Sequence, residues 1–220
     1  PLANLDAVKY QLSRMQAAYT ICSGMCAYST SNSGIDKDLA TAAIEANTLK
    51  ALITDLMQES AQIALQLAGA NGYRLDHIAG RAVVDSRPFQ IFEGSNEMLY
   101  GQIADSVLKL MRRSKETNLA KFLAQYPTAT ESISYFAHLL NFNIDQAVSQ
   151  RDAVTLGRII ARIISFQFVL QMNGFNAGLV EITRQHMVSD ISMFVGQYLS
   201  NNTSNPIIEY QDNSDWTAFA

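Results

Sequence analysis

Apolar residues at Leu5, Val8, Leu12, Met15, Tyr19, Cys22 and Cys26 recur at alternating spacings of three and four. That spacing places them on one stripe of an α-helix and predicts an amphipathic helix packed along it in a bundle. The Ser, Asn and Gly content of Tyr28–Gly34 predicts a turn. A second long helix is expected to begin near Asp36 or Asp38, because an acidic side chain suits the positive end of a helix. It runs through Leu49, Leu52, Leu56, Ile63 and Leu67, and Gly69, Asn71 and Gly72 end it, as a left-handed cap requires. From Tyr73 to Gly94 the pattern is irregular, and Pro88 bars a continuous helix there. Ser95 caps a further helix from about Asn96 to Arg113, with Asp105 outward and Lys109, Arg112, Arg113 and Lys115 favourable at its C-terminal end.

Past Lys115, one helical pattern uses Ile133, Phe136, Leu140 and Ile144, and a longer one extends from about Val154 to Tyr198 with a break near Gly174 or Gly178. The Met and Phe residues between Phe166 and Phe194 sit at helical spacing and read as core. Residues 201–220, rich in Asn and Ser, read as an irregular tail. No alternating strand pattern is present. The expected fold class is all-α, an antiparallel up-down helical bundle with additional C-terminal helices. The expected division is a bundle over residues 1–115, a helical extension over 116–200, and the tail.

Apolar residues make up 48% of the 220-residue chain, enough for a core, whereas charged residues at 16% are sparse. That balance predicts a helical surface partly covered by other protein. The formal charge is −4, with 11 basic against 12 acidic groups in residues 1–119 and 5 against 8 in the rest. Neither half carries a basic field, which argues against nucleic acid as a partner. No apolar run of membrane-spanning length stands out, so no integral membrane segment is expected. Cys22 and Cys26 have no second pair of ligands to complete a metal site, and read as small buried thiols of a reducing, cytoplasmic setting. His77, His138 and His186 are scattered without metal-binding spacing, and His77 reads as a surface residue. Asp85 with Arg87 or Arg81 reads as an ion pair pinning a loop. The chain opens on Pro1 directly before a helical pattern, which reads as a fragment of a longer protein.

The stretch Gln62–Glu97 carries the chemistry. It sets a Gly-rich turn at a helix end, then a carboxylate, Glu93, flanked by Phe92 and Gly94 in an apolar segment, then a helix N-terminus. A carboxylate beside apolar groups tends toward a raised pKa, as a general base near neutral pH needs. Gly94 permits close approach of another molecule to the backbone, and the helix start offers free N–H groups. Taken alone, a Glu before a Gly is more often a solvated turn residue.

The same stretch resembles two signatures of the acyl-CoA dehydrogenase C-terminal domain. Gln66-Leu67-Ala68-Gly69-Ala70-Asn71-Gly72-Tyr73 is similar to the first, and Val84-Asp85 through Ile91-Phe92-Glu93-Gly94-Ser95 to the second, with the spacing between them kept. Lys50 and Asp55 fall where the family's helix carries a Lys and an Asp, and the resemblance covers about residues 4 to 113. It implies an FAD-dependent oxidoreductase acting on acyl-CoA, in which Glu93 abstracts the α-proton and its backbone N–H polarises the thioester carbonyl. Phe92 and Gly94 would line the substrate. Ser95 and Glu97 match positions that contact FAD, and Gln66, Leu67 and Ala70 match positions that reach the FAD of a neighbouring subunit.

The resemblance further implies a homodimer or homotetramer and an electron-transfer flavoprotein or similar acceptor. FAD is expected in the full-length protein, and weakly or not at all on residues 1–220 alone. The second glycine of the family is here Ala70, and the Arg before Asp85 is Val84. C-terminal helices beyond the domain occur in the very-long-chain branch and some bacterial relatives. Here the extension is acidic and lacks a basic polar face, which favours bundle or subunit interface over membrane-surface binding. Two alternatives share the pattern: an acyl-CoA oxidase that passes electrons to oxygen, and a non-catalytic member of the interaction or DNA-damage-response type. The intact Glu93 motif speaks against the latter.

Overall fold

The structure, a computed structural model, describes residues 2–200 apart from 75, 145, 146, 173 and 175, so the expected tail at 201–220 lies outside the described residues. Eight α-helices follow one another among the described residues: α1 Asp6–Asn32, α2 Ala43–Ala68, α3 Ile78–Ser86, α4 Asn96–Ser114, α5 Leu119–Leu123, α6 Ile133–Leu140, α7 Gln150–Gln171 and α8 Ala177–Leu199. No strand occurs among those residues, and the chain is an all-α helical bundle.

The centre of the bundle is α7. Ser149 caps it by accepting the Asp152 amide at 3.1 Å. From Leu156 to Val169, all but one side chain is buried. The helix lies against α1, α2, α4 and α8. Two glycines allow those contacts to be close. A Cβ on Gly157 would collide with the Tyr100 carbonyl of α4, and one on Gly24 of α1 would come to 2.9 Å from the Val169 amide nitrogen. By length and composition α7 is apolar enough to cross a membrane, but 83% of its most apolar stretch is buried inside the protein, as in a core helix. Its Arg162 joins a charged junction of four helices. Arg162 Nε of α7 and Arg14 Nη2 of α1 both donate to Asp190 Oδ2 of α8 at 2.9 Å, and Arg14 Nε donates to Glu59 Oε1 of α2 at 2.6 Å. Burial alone would raise the Asp190 carboxyl, but the two guanidiniums outweigh it and hold the group below its ordinary value.

Several expectations are corrected. The apolar stripe expected to be packed on α1 is not its buried face: Leu5, Leu12, Tyr19 and Cys26 are exposed, and Val8, Met15 and Cys22 are half-buried. The inner face is Ala17, Ala18, Ile21, Gly24 and Met25. Small residues bring neighbouring helices close, so packing selects them although the bulkier stripe is more hydrophobic. The thiols are therefore not both buried, although burial and the neighbouring Cys26 push Cys22 up to about 11.

The expected turn at Tyr28–Gly34 is helix to Asn32, where Thr30 Oγ1 donates to the Cys26 carbonyl and Asn32 Nδ2 to that of Tyr28, both at 2.9 Å. Nor does α2 start at Asp36 or Asp38. It starts at Ala43, and the first-turn acid is the buried Glu45, which accepts from Tyr126 OH at 2.8 Å and Thr128 Oγ1 at 2.7 Å. The irregular segment contains α3, capped by His77 Nδ1 accepting the Ala79 amide at 3.3 Å. The ion pair of that segment is Arg74–Asp76 at 2.6 Å, rather than Asp85 with an arginine. Gly69 at φ 57° does end α2, Ser95 does cap α4, and Gly174 at φ 94° lies in the break between α7 and α8.

Candidate active site

The site is built where the turn before α4 crosses the middle of α2. Lys50, Thr54 and Asp55 project from α2 within about a turn and a half of one another, and all of them meet Asn96, the first residue of α4. Asn96 is buried. Its Nδ2 donates to the Ala51 carbonyl at 3.0 Å, Thr54 Oγ1 at 2.8 Å and Asp55 Oδ1 at 2.6 Å, while its Oδ1 accepts from Lys50 Nζ at 2.9 Å. Asp55 also accepts from Gln90 Nε2 at 2.7 Å and from the buried Tyr100 OH at 2.8 Å. The Tyr100 phenol is pushed well above its usual value, first by burial and then by the Asp55 charge. Charge-assisted bonds of this kind, around a buried Asn96 and Tyr100, tie the start of α4 to α2.

That anchoring governs the turn before it. The Ile91 and Phe92 amides both donate to the Pro88 carbonyl at 2.9 Å. Next come two left-handed residues in succession, Glu93 at φ 57° and Gly94 at φ 96°. A side chain in that region is costly for a residue other than glycine, and Glu93 is held there by the anchored residues on its C-terminal side. Lys50 Nζ donates to the Gly94 carbonyl at 2.6 Å. The lysine's pKa is lowered by partial burial, against the opposing pull of Asp55 and Glu93. The Glu93 amide makes no backbone hydrogen bond among the described residues.

The Glu93 side chain is exposed, and the apolar crevice expected around it is not closed by this chain alone. The segments on either side of it are apolar and open: Val84, Phe89, Ile91, Phe92 and Met98 are each more than half exposed. Gln58, Gln62, Val83, Val84, Arg87, Pro88, Ile91 and Phe92 outline an open groove of about 510 Å³ against that surface. So much exposed hydrophobic area in one place marks a surface that other protein or a ligand covers.

The family model for the acyl-CoA dehydrogenase C-terminal domain matches residues 1–108. Residues 1–108 belong to that family. The mitochondrial isobutyryl-CoA dehydrogenase of Bos taurus is 33% identical over 109 residues, which is 50% of this chain and 26% of that protein. The chain thus aligns with about a quarter of the length of this curated relative. No solved structure matches the chain.

Within this acyl-CoA dehydrogenase domain the residues singled out from sequence fall into two groups. Phe92, Glu93, Gly94, Ser95 and Glu97 cluster at the α4 start. Ser95 Oγ is engaged with the Met98 amide at 3.4 Å, and Glu97 is exposed, 3.8 Å from Arg158 of α7. Those two line a wide groove of about 870 Å³ between α4 and α7. Gln66, Leu67 and Ala70 sit instead at the far end of α2, where Gln66 and Ala70 are exposed and Leu67 is half-buried. At ~1.5 Å per residue, Gln66 lies about 24 Å along α2 from Lys50, so the chain does not bring the two groups together. The alanine at the family's second glycine is accommodated, since Ala70 is not among the residues of positive φ. Sequence reading missed Asn96, Gln90 and Tyr100. The only available signals were the Lys50 and Asp55 positions and an Asn directly after a capping Ser.

Proposed function

We propose that this chain is the C-terminal part of an FAD-dependent acyl-CoA dehydrogenase in which Glu93 is the base that removes the substrate's α-proton. The observation that carries the reading is the Glu93 backbone. It is held left-handed with its amide unspent, beside an exposed apolar rim, inside a domain of the acyl-CoA dehydrogenase family.

The Glu93 N–H donates to the thioester carbonyl, where negative charge develops as the α-carbon loses its proton. The Glu93 carboxylate takes that proton, so the α C–H bond breaks and its electron pair enters the forming enolate. Phe92 and Gly94 line the thioester. The unpaired amides of Asn96 and Glu97 at the α4 start, together with Ser95 and Glu97, fit one side of a flavin site. FAD, when bound, supplies the acceptor for the β-hydrogen, which leaves as hydride. The separate surface of Gln66, Leu67 and Ala70 suits the cofactor of a neighbouring subunit in a homodimer or homotetramer. An electron-transfer flavoprotein or similar acceptor would reoxidise the enzyme.

The test is anaerobic mixing of the full-length flavoprotein with acyl-CoA thioesters. Isobutyryl-CoA is tried first because it is named in the relative. Bleaching of the flavin with one 2-enoyl-CoA formed per flavin is the expected result. Flavin that stays oxidised with straight and branched acyl-CoA substrates alike would contradict the reading, and hydrogen peroxide release in air would assign the oxidase chemistry instead.

A further inference from the structure

We propose that Lys50 is a positioning residue for this reaction, holding the Gly94 carbonyl so that the Glu93 carboxylate and amide face the substrate together. The proposal rests on the reading of Glu93 as the base, and it adds a residue on a different helix, 44 positions away in sequence, to the machinery.

The geometry is specific. A backbone turn with two successive positive φ values can relax by rotating the peptides on either side of Gly94, which would carry the Glu93 amide and side chain together away from their place before α4. The Gly94 carbonyl is the handle that resists a change in the next peptide, and it accepts a 2.6 Å bond from an ammonium group. That ammonium is itself fixed by Asn96 Oδ1 at 2.9 Å, and Asn96 is locked to α2 through Ala51, Thr54 and Asp55. The chain of contacts therefore runs from α2 to the strained turn, with the Lys50 ammonium held at both of its acceptors. An ordinary surface lysine would keep its head group in water. Lys50 instead spends it on a carbonyl and an amide oxygen, with partial burial opposing its charge.

Two carboxylates act electrostatically on the ammonium, Asp55 of α2 and Glu93 of the turn, each favouring its charged form. Its charge thus also acts near the reacting carboxylate, but the positional role is separable from this. Arginine keeps a cation and an N–H donor, glutamine keeps only a shorter donor, and methionine keeps only the apolar stem.

The experiment uses the full-length flavoprotein carrying Lys50→Arg, Lys50→Gln or Lys50→Met, with Glu93→Gln as reference. Flavin content, acyl-CoA dissociation constant and the limiting rate of flavin bleaching are measured for each. The expected result for Lys50→Met is a rate loss of tenfold or more, the scale expected when a proton-transfer group is displaced by a fraction of an ångström to an ångström. Its flavin content should be unchanged and its substrate affinity within about twofold, reading as a loss in rate rather than binding. Lys50→Arg should recover most of the rate and Lys50→Gln should fall between. A Lys50→Met rate equal to that of the parent overturns the proposal while leaving the Glu93 reading intact, provided Glu93→Gln is inactive. Rates and affinities that fall together with no rescue by arginine, or flavin lost from Lys50→Met and Lys50→Gln alike, assign Lys50 to folding and also overturn it. If Glu93→Gln itself bleaches normally, the parent reading fails and the positioning role fails with it.

Discussion

At the scale of single residues, the energetics concentrate at two side chains that are not glycine yet have φ of 57°, Glu93 and Lys115. They occupy that region for different reasons. Lys115 ends α4, where a left-handed residue closes the helix and its amide donates to the Arg112 carbonyl at 3.3 Å. Glycine would serve better there. Glu93 is in a turn that ends no helix, and the strain persists because Lys50, Asn96 and Asp55 fix Gly94 and the start of α4. Lys115→Gly and Glu93→Gly should each raise unfolding stability by up to about 1 kcal/mol in urea titrations, through relief of backbone strain. Only Glu93→Gly should cost catalysis in the full-length enzyme. A clear destabilisation by Glu93→Gly would show that its side chain holds the turn and that strain is not kept there for function.

At the scale of helices, α7 decides the packing. Its Gly157 has the Tyr100 carbonyl where a side chain would begin, and Tyr100 also holds Asp55 at the site through its hydroxyl. Gly157→Ala should therefore push α4 off α7 and lower stability by about 1–3 kcal/mol, as overpacking does, seen as a lower urea midpoint. An unchanged midpoint would mean that the α4–α7 contact is looser than described. This scale also shows what periodicity could and could not tell. α2 and α4 were legible because each combines a 3.6-residue pattern with a chemical boundary, Gly69 at the end of one and Ser95 at the start of the other. The existence of α1 was legible but its orientation was not, since it carries apolar residues on both sides and close packing chose Ala17, Ala18 and Gly24 over Leu5, Leu12 and Tyr19. α3 escaped notice because it is nine residues long, contains Gly80 and runs straight into the Pro88 turn.

At the scale of the whole molecule, the described helices form one core but leave the candidate site half built. Val84, Phe89, Ile91, Phe92 and Glu93 remain in solvent, and Gln66 and Ala70 are exposed at the other end of α2. Exposed apolar area of that kind marks a surface that other protein or a ligand covers, and the chain aligns with 26% of its relative's length. The motif residues of the site were legible through their resemblance to the family. The polar clamp on the turn was not, because it joins Lys50 to Asn96 across 46 residues and no local pattern encodes such a contact. Everything functional turns on whether the Glu93 carboxylate performs the proton transfer. The most direct test is rapid mixing of full-length Glu93→Gln flavoprotein with acyl-CoA, following flavin absorbance and substrate binding together. Binding within a few-fold of the parent with bleaching abolished is the predicted result, and bleaching at the parent's rate would contradict the account.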